Sequence, residues 1–148
     1  MWLYHGTYDM FYSKIIKDGV ILARSKNKDS STDIIDRVIN TIAGKIVRGN
    51  NVYLTNEIEA LDGFDRSIRI STNMLNTRKL FVADTKYIDL MLCCCTENNK
   101  NFINCAELYL KNFITFDRYI SNRKHYDCTR LNEFLYYDNI YLRRKRLG

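Results

Sequence analysis

The apolar positions of the chain change period several times, and each change predicts an element. Trp2 to His5 reads as a short strand. Asp9 to Asp18 reads as a helix: Phe11 and Ile15 share a face, Asp9 can cap the start, and Gly19 suits the position just past the end. Val20 to Leu22 is a second extended piece, and the polar, basic run 23–31 is a loop. Ile35, Val38, Ile39, Ile42 and Ile46 recur at helical spacing and predict a helix from Thr32 to Val47, capped by Ser31 or Thr32 and ended by Gly49. Asn50-Asn51 turns the chain into a strand over Val52–Thr55. Ala60, Leu61 and Phe64 on one face predict a helix over 57–67. Lys79–Ala83 reads as a strand and Lys86–Cys95 as a short buried helix. After a polar loop at 98–101, Glu107–Lys111 and Ile114–Ile120 read as extended, with a break near Asn112. Thr129–Tyr137 reads as helical and Ile140–Arg143 as a last strand. The sum is an α+β domain with helices clustered in the N-terminal half and strands later.

Composition narrows this to one ordinary globular domain spanning 1–148: hydrophobic residues are 46% and charged residues 27%, which excludes disorder. There is no internal repeat or linker. The longest apolar run, Leu90–Cys95, is too short to cross a bilayer. The start, Met1–His5, lacks the basic and apolar regions of a signal peptide, so the expectation is a cytoplasmic protein with no membrane partner. Five cysteines, three of them adjacent, make a poor disulfide framework and read as reduced thiols. With two histidines, His5 and His125, and no C-x-x-C pair, no metal site is expected. The net charge of +6 favours anionic partners. Only Arg143-Arg144-Lys145-Arg146 concentrates it, and that cluster reads equally as a solvated tail.

Three strings carry candidate chemistry. The first is Leu3-Tyr4-His5-Gly6-Thr7 with the helix behind it and Asp18-Gly19-Val20. The second is Asn51-Val52-Tyr53-Leu54-Thr55, followed by Ala60 and Phe64. The third is Ala106-Glu107-Leu108-Tyr109-Leu110, continuing to Ile114 and Arg118-Tyr119-Ile120. Each alone has an ordinary reading as a capped turn, a half-buried strand tyrosine or a solvated glutamate. In this order and spacing they resemble the signature strands of the His-Tyr-Glu branch of ADP-ribosyltransferases, the diphtheria-type toxins and poly(ADP-ribose) polymerases. The resemblance covers roughly residues 2–120.

What the resemblance implies is a single domain of two small, packed, mostly antiparallel sheets that cleaves NAD⁺ at its nicotinamide–ribose bond. His5 would bond a ribose hydroxyl, Gly6 the carboxamide through its backbone, and Thr7 the adenosine ribose. Tyr53 and Phe64 would sandwich the cationic ring, a contact worth roughly 0.5–2 kcal/mol. Glu107 would stabilise the oxocarbenium-like transition state, with Glu97 or Glu133 as its substitute. Arg24, Lys26 or Lys28 would meet the pyrophosphate. Phe64 departs from the pattern, which usually has a tyrosine there, and the stretch 23–50 is long. The implied activity is mono-ADP-ribosyl transfer to a macromolecular acceptor, protein or nucleic acid. The family-level setting is a small toxin or a phage or pathogen effector, with a cognate inhibitor or antitoxin as partner.

Two other readings compete. Arg69-Ile70-Ser71-Thr72 hints at the Arg-Ser-Glu branch, but Glu57-Ile58-Glu59 precedes it in the wrong order. A non-enzymatic, basic nucleic-acid-binding or partner-blocking protein would use the eleven tyrosines and seven phenylalanines for stacking and the 23 lysines and arginines for phosphates.

Overall fold

A computed structural model describes residues 1–23, 31–94, 100–126 and 131–142. Alternating burial builds its main sheet. Leu3 of β1 (Trp2–Thr7), Val52 and Leu54 of β3 (Val52–Thr55), Ile68 and Ile70 of β4 (Arg66–Ser71), and Leu80 and Val82 of β5 (Leu80–Ala83) all turn inward. With β6 (Ile114–Thr115) and β7 (Glu133–Tyr136) these strands form one sheet in the order β4-β1-β3-β7-β5-β6. A separate ribbon pairs β2 (Val20–Ile21) with β8 (Ile140–Tyr141). Every pairing is antiparallel, so the α+β expectation with antiparallel sheets holds.

The sheet is the middle of three layers. Leu3, Val52, Leu54, Ile70, Leu80, Val82 and Phe134 pack on one side against the β2–β8 ribbon, α5 (Phe116–Ser121), and Tyr12 and Ile15 of α1 (Asp9–Asp18). Tyr53, Ala83 and Leu135 face the other side. There they meet Ile35 and Ile39 of α2 (Ser31–Ala43), Met91 of α3 (Lys86–Cys94), and Phe102, Ala106 and Tyr109 of α4 (Lys100–Lys111). A short helix, α6 (Arg123–Tyr126), follows α5. Four of these six helices follow residue 85, so they are not gathered in the N-terminal half.

Several elements differ from the sequence reading for identifiable reasons. The stretch 107–111 is the end of α4 rather than a strand, because Phe102, Ala106 and Tyr109 repeat at helical spacing and are buried together. Phe116–Ser121 is helical because the Thr115 side chain caps it, accepting from the Arg118 N–H at 3.2 Å. Residues 133–136 form a strand, not a helix: sandwiched between β3 and β5, Phe134, Leu135 and Tyr136 are all buried, as a central strand requires. The helix expected over 57–67 shrinks to one 3-10 turn at Ile58–Leu61, and β4 takes the rest. Helix α1 ends at Gly19 as expected, but Asp9 does not cap its own helix; it pairs with Arg66 at 2.9 Å.

Helix α2 stops at Ala43, four residues early. Gly44 follows with φ of 69°, a left-handed conformation that ends a helix. The chain then folds back onto Asn40. Its side-chain oxygen accepts from the Val47 and Arg48 N–H groups at 2.8 and 2.9 Å, while its amide donates to the Arg48 carbonyl at 2.9 Å. This turn carries Arg48 under the sheet, where it is 4% exposed.

Candidate active site

The first and second strings meet through the pairing of β1 with β3, in which Tyr4 lies opposite Thr55. The imidazole of His5 then reaches the Tyr53 backbone, Nδ1 to carbonyl oxygen at 2.9 Å. A carbonyl only accepts, so Nδ1 carries the proton and Nε2 is left as an acceptor. Burial pushes the His5 pKa below its ordinary value, outweighing the bond to Tyr53, and keeps the ring neutral.

Register extends this across the sheet. Thr55 lies opposite Glu133 of β7, and Glu133 lies opposite Ala83 of β5. The carboxyl of Glu133 therefore sits one strand from Tyr53. His5, Gly6, Tyr53, Thr55 and Glu133 line one open cleft of about 510 Å³. Leu61 and Phe64 wall it on one side; Thr85, Asp89 and Asn132 complete it on the other. A small-molecule site typically occupies roughly 300–1,000 Å³. The described lining holds two carboxylates and no lysine or arginine.

The rings at the cleft have other neighbours too. The Phe64 ring covers Gly6: a Cβ built on Gly6 would lie 2.6 Å from Phe64 Cδ2 and 2.9 Å from Leu61 Cδ2, so any side chain there must push those two aside. Phe64 also leans on Tyr8, with ring centroids 5.2 Å apart. The Tyr53 ring carries the Arg48 guanidinium 5.0 Å from its centroid, and its hydroxyl accepts from the Gly49 N–H at 3.0 Å. Burial drives the Tyr53 pKa upward, so this hydroxyl keeps its proton.

Behind the cleft lies a buried polar cluster. Arg48 Nε donates to Asp36 Oδ1 at 2.6 Å, and Nη1 donates to the Tyr109 hydroxyl at 2.9 Å and to Glu133 Oε1. The Tyr109 hydroxyl in turn donates to Glu133 Oε1 at 2.7 Å. Burial opposes the charge of Arg48, but Glu133, Tyr109 and Asp36 outweigh it and hold the pKa well above the usual value. For Tyr109 burial itself raises the pKa, since the charged form is the anion. Both groups are thus fixed as donors.

Of the residues expected from sequence, His5, Gly6, Tyr53 and Phe64 come together. Glu107 does not. It lies on the exposed face of α4, outside the cleft, because Phe102, Ala106 and Tyr109 claim the inward face of that helix. Thr7 is 6% exposed, pairs with Arg66 across β4, and does not line the cleft. Ser71 and Thr72 sit at the far end of β4, also away from it. Arg24, Lys26, Lys28, Glu97 and the cluster 143–146 lie outside the described residues. Arg48, Asp89, Tyr109 and Asn132 were missed, while Glu133 stood only as a substitute. The usable signal was the run Phe134-Leu135-Tyr136-Tyr137, strand-like and directly behind Glu133.

Among the described residues no group of three or more His, Cys, Asp or Glu could hold a metal ion, and no helix is long and apolar enough to cross a membrane. Neither Cys93 nor Cys105 is in a disulfide. The chain matches no protein-family model, no curated protein and no solved structure.

Proposed function

We propose that this chain is a mono-ADP-ribosyltransferase that cleaves NAD⁺ and passes ADP-ribose to a macromolecular acceptor, with Glu133 in the role first given to Glu107. The observation that carries the reading is convergence. Three segments far apart in sequence bring His5, Tyr53 and Glu133 to one cleft beside a glycine covered by the Phe64 ring.

The chemistry follows from those groups. The bond between ribose C1′ and the nicotinamide nitrogen breaks, and its electron pair leaves with the ring. Positive charge moves onto the sugar, where a carboxylate bonded to the 2′-hydroxyl stabilises it more than it stabilised the ground state. Glu133 serves there. The neutral His5 accepts from a ribose hydroxyl through Nε2. An acceptor oxygen or nitrogen then bonds C1′ and releases its proton to water. The two carboxylates of the lining suit the cationic ring of bound NAD⁺, while its pyrophosphate needs basic partners beyond the described lining. Lys26, Lys28 and Arg24 remain the sequence's candidates for the pyrophosphate.

Labelled NAD⁺ incubated with the protein and cell lysate is expected to release nicotinamide and label a macromolecule. Glu133→Gln is expected to lower turnover by on the order of 10²-fold with NAD⁺ binding kept. Glu107→Gln, on the exposed face of α4, is expected to stay within about twofold of wild type. Normal turnover in Glu133→Gln, or a salt-sensitive nucleic-acid gel shift without any NAD⁺ cleavage, overturns the reading.

A further inference from the structure

The cluster behind the cleft has a one-sided geometry. Both hydrogen bonds made to Glu133 fall on the same oxygen, Oε1. Oε2 has no partner among the described residues, and the side chain keeps 11% of its exposure. Neither donor, Arg48 nor Tyr109, is part of the cleft lining. The carboxylate is therefore gripped from behind.

The grip is itself braced. Arg48 is anchored at its backbone by two bonds with the Asn40 side chain, which also holds the Val47 N–H, and at Nε by Asp36. The Tyr109 hydroxyl accepts from Arg48 and donates to Glu133, so the three groups form a closed triangle. Bonds in such a chain polarise and strengthen one another. Stability alone does not account for it. A buried ion pair usually stabilises no better than apolar residues of the same volume. Here one guanidinium faces two carboxylates, and the buried Asp36 Oδ2 has no partner among the described residues.

We propose that Arg48 and Tyr109 are positioning residues for the cleavage reaction: together they immobilise Oε1 of Glu133 so that Oε2 is presented to the ribose. This rests on the reading of Glu133 above. It assigns neither residue a contact with the substrate. The free energy they contribute appears only when charge develops on the sugar, so they act on kcat rather than on KM.

The test is a double-mutant cycle. Arg48→Ala would strand two buried carboxylates and is a poor probe. Tyr109→Phe removes a single oxygen and leaves the ring in the core. It is expected to lower kcat for nicotinamide release by about 10-fold with KM for NAD⁺ within about twofold. In a Glu133→Gln background the same change is expected to cost less than about twofold, since its effect passes through the carboxylate. Arg48→Lys keeps a buried charge but cannot bond Asp36 and Glu133 through separate nitrogens; a similar loss in kcat is expected. An equal fractional loss from Tyr109→Phe in both backgrounds overturns the proposal, as does unchanged kcat or a loss confined to KM. If Glu133→Gln is inactive and Tyr109→Phe is normal, the positioning role alone fails. If Glu133→Gln is itself active, the catalytic reading fails, and this inference with it.

Discussion

His5 ties the cleft to pH through a single proton. Its pKa is lowered in the folded protein by burial, while the unfolded chain titrates near the ordinary 6.5. Below that value the unfolded state takes up the proton more readily, so the stability from neutral His5 is fully present above pH 6.5 and is lost as the pH falls through the lower folded value. Wild-type melting temperature is expected to fall on moving from neutral to mildly acidic buffer, and His5→Gln is expected to flatten that slope. Equal slopes would remove His5 as the group responsible. Gly6 makes a second claim at this scale. A methyl group there must push the Phe64 ring aside, since the ideal Cβ would approach its Cδ2 to 2.6 Å. Phe64 is 40% exposed and can move, so Gly6→Ala is expected to fold with a melting point near wild type and to weaken NAD⁺ binding by about 10-fold or more. Isothermal titration measures it; unchanged affinity would show that ligand does not approach the Gly6 backbone. Both residues were legible because a short local string, Tyr4-His5-Gly6-Thr7, puts them on one strand. Glu133 was not legible in that way, since only the pairing of distant strands brings it near them.

Among the elements, the turn after α2 matters most to the site. It carries no regular hydrogen-bonded ladder and is held by side chains, Asn40 foremost, with the Tyr137 hydroxyl donating to the Val47 carbonyl at 2.6 Å. Asn40 satisfies two N–H groups and one carbonyl of residues 47 and 48. Asn40→Ala leaves those backbone groups without their partner and is expected to cost ~1–3 kcal/mol, read from urea unfolding. A larger fractional loss in kcat than in NAD⁺ affinity is expected beside it, because the turn carries Arg48. A sequence pattern could not reveal this turn. Ile46 and Val47 continue the apolar spacing of α2, yet Ile46 is 64% exposed and Val47 is buried on a different path. The helical period overran its true end because Gly44 was not weighted as a stop. For α4 the same period was present and was missed. Its first turn follows a polar stretch, and reading the window from Glu107 onward hides the spacing from Phe102 to Ala106 to Tyr109. β7 failed for the opposite reason: four consecutive apolar or aromatic residues suit a buried strand or a buried helix equally, and only its neighbours on both sides decide.

For the molecule as a whole, class was legible and order was not. The strands read at β1, β3 and β5 among helices announce an α+β domain, but the order β4-β1-β3-β7-β5-β6 inserts a strand from near the end of the chain between β3 and β5. Local patterns carry no information on such pairings. Among the described residues β4 and β6 are the outer strands of the sheet, and both are poor templates for a further strand. β6 is only two residues long before the chain turns into α5. β4 directs Arg66 and Arg69 outward, one paired with Asp9 and the other lying over the Trp2 ring at 4.0 Å. A second molecule adding edge to edge would have to strip water from those guanidinium groups. The described edges thus disfavour polymerisation of the folded chain through its own backbone at high concentration.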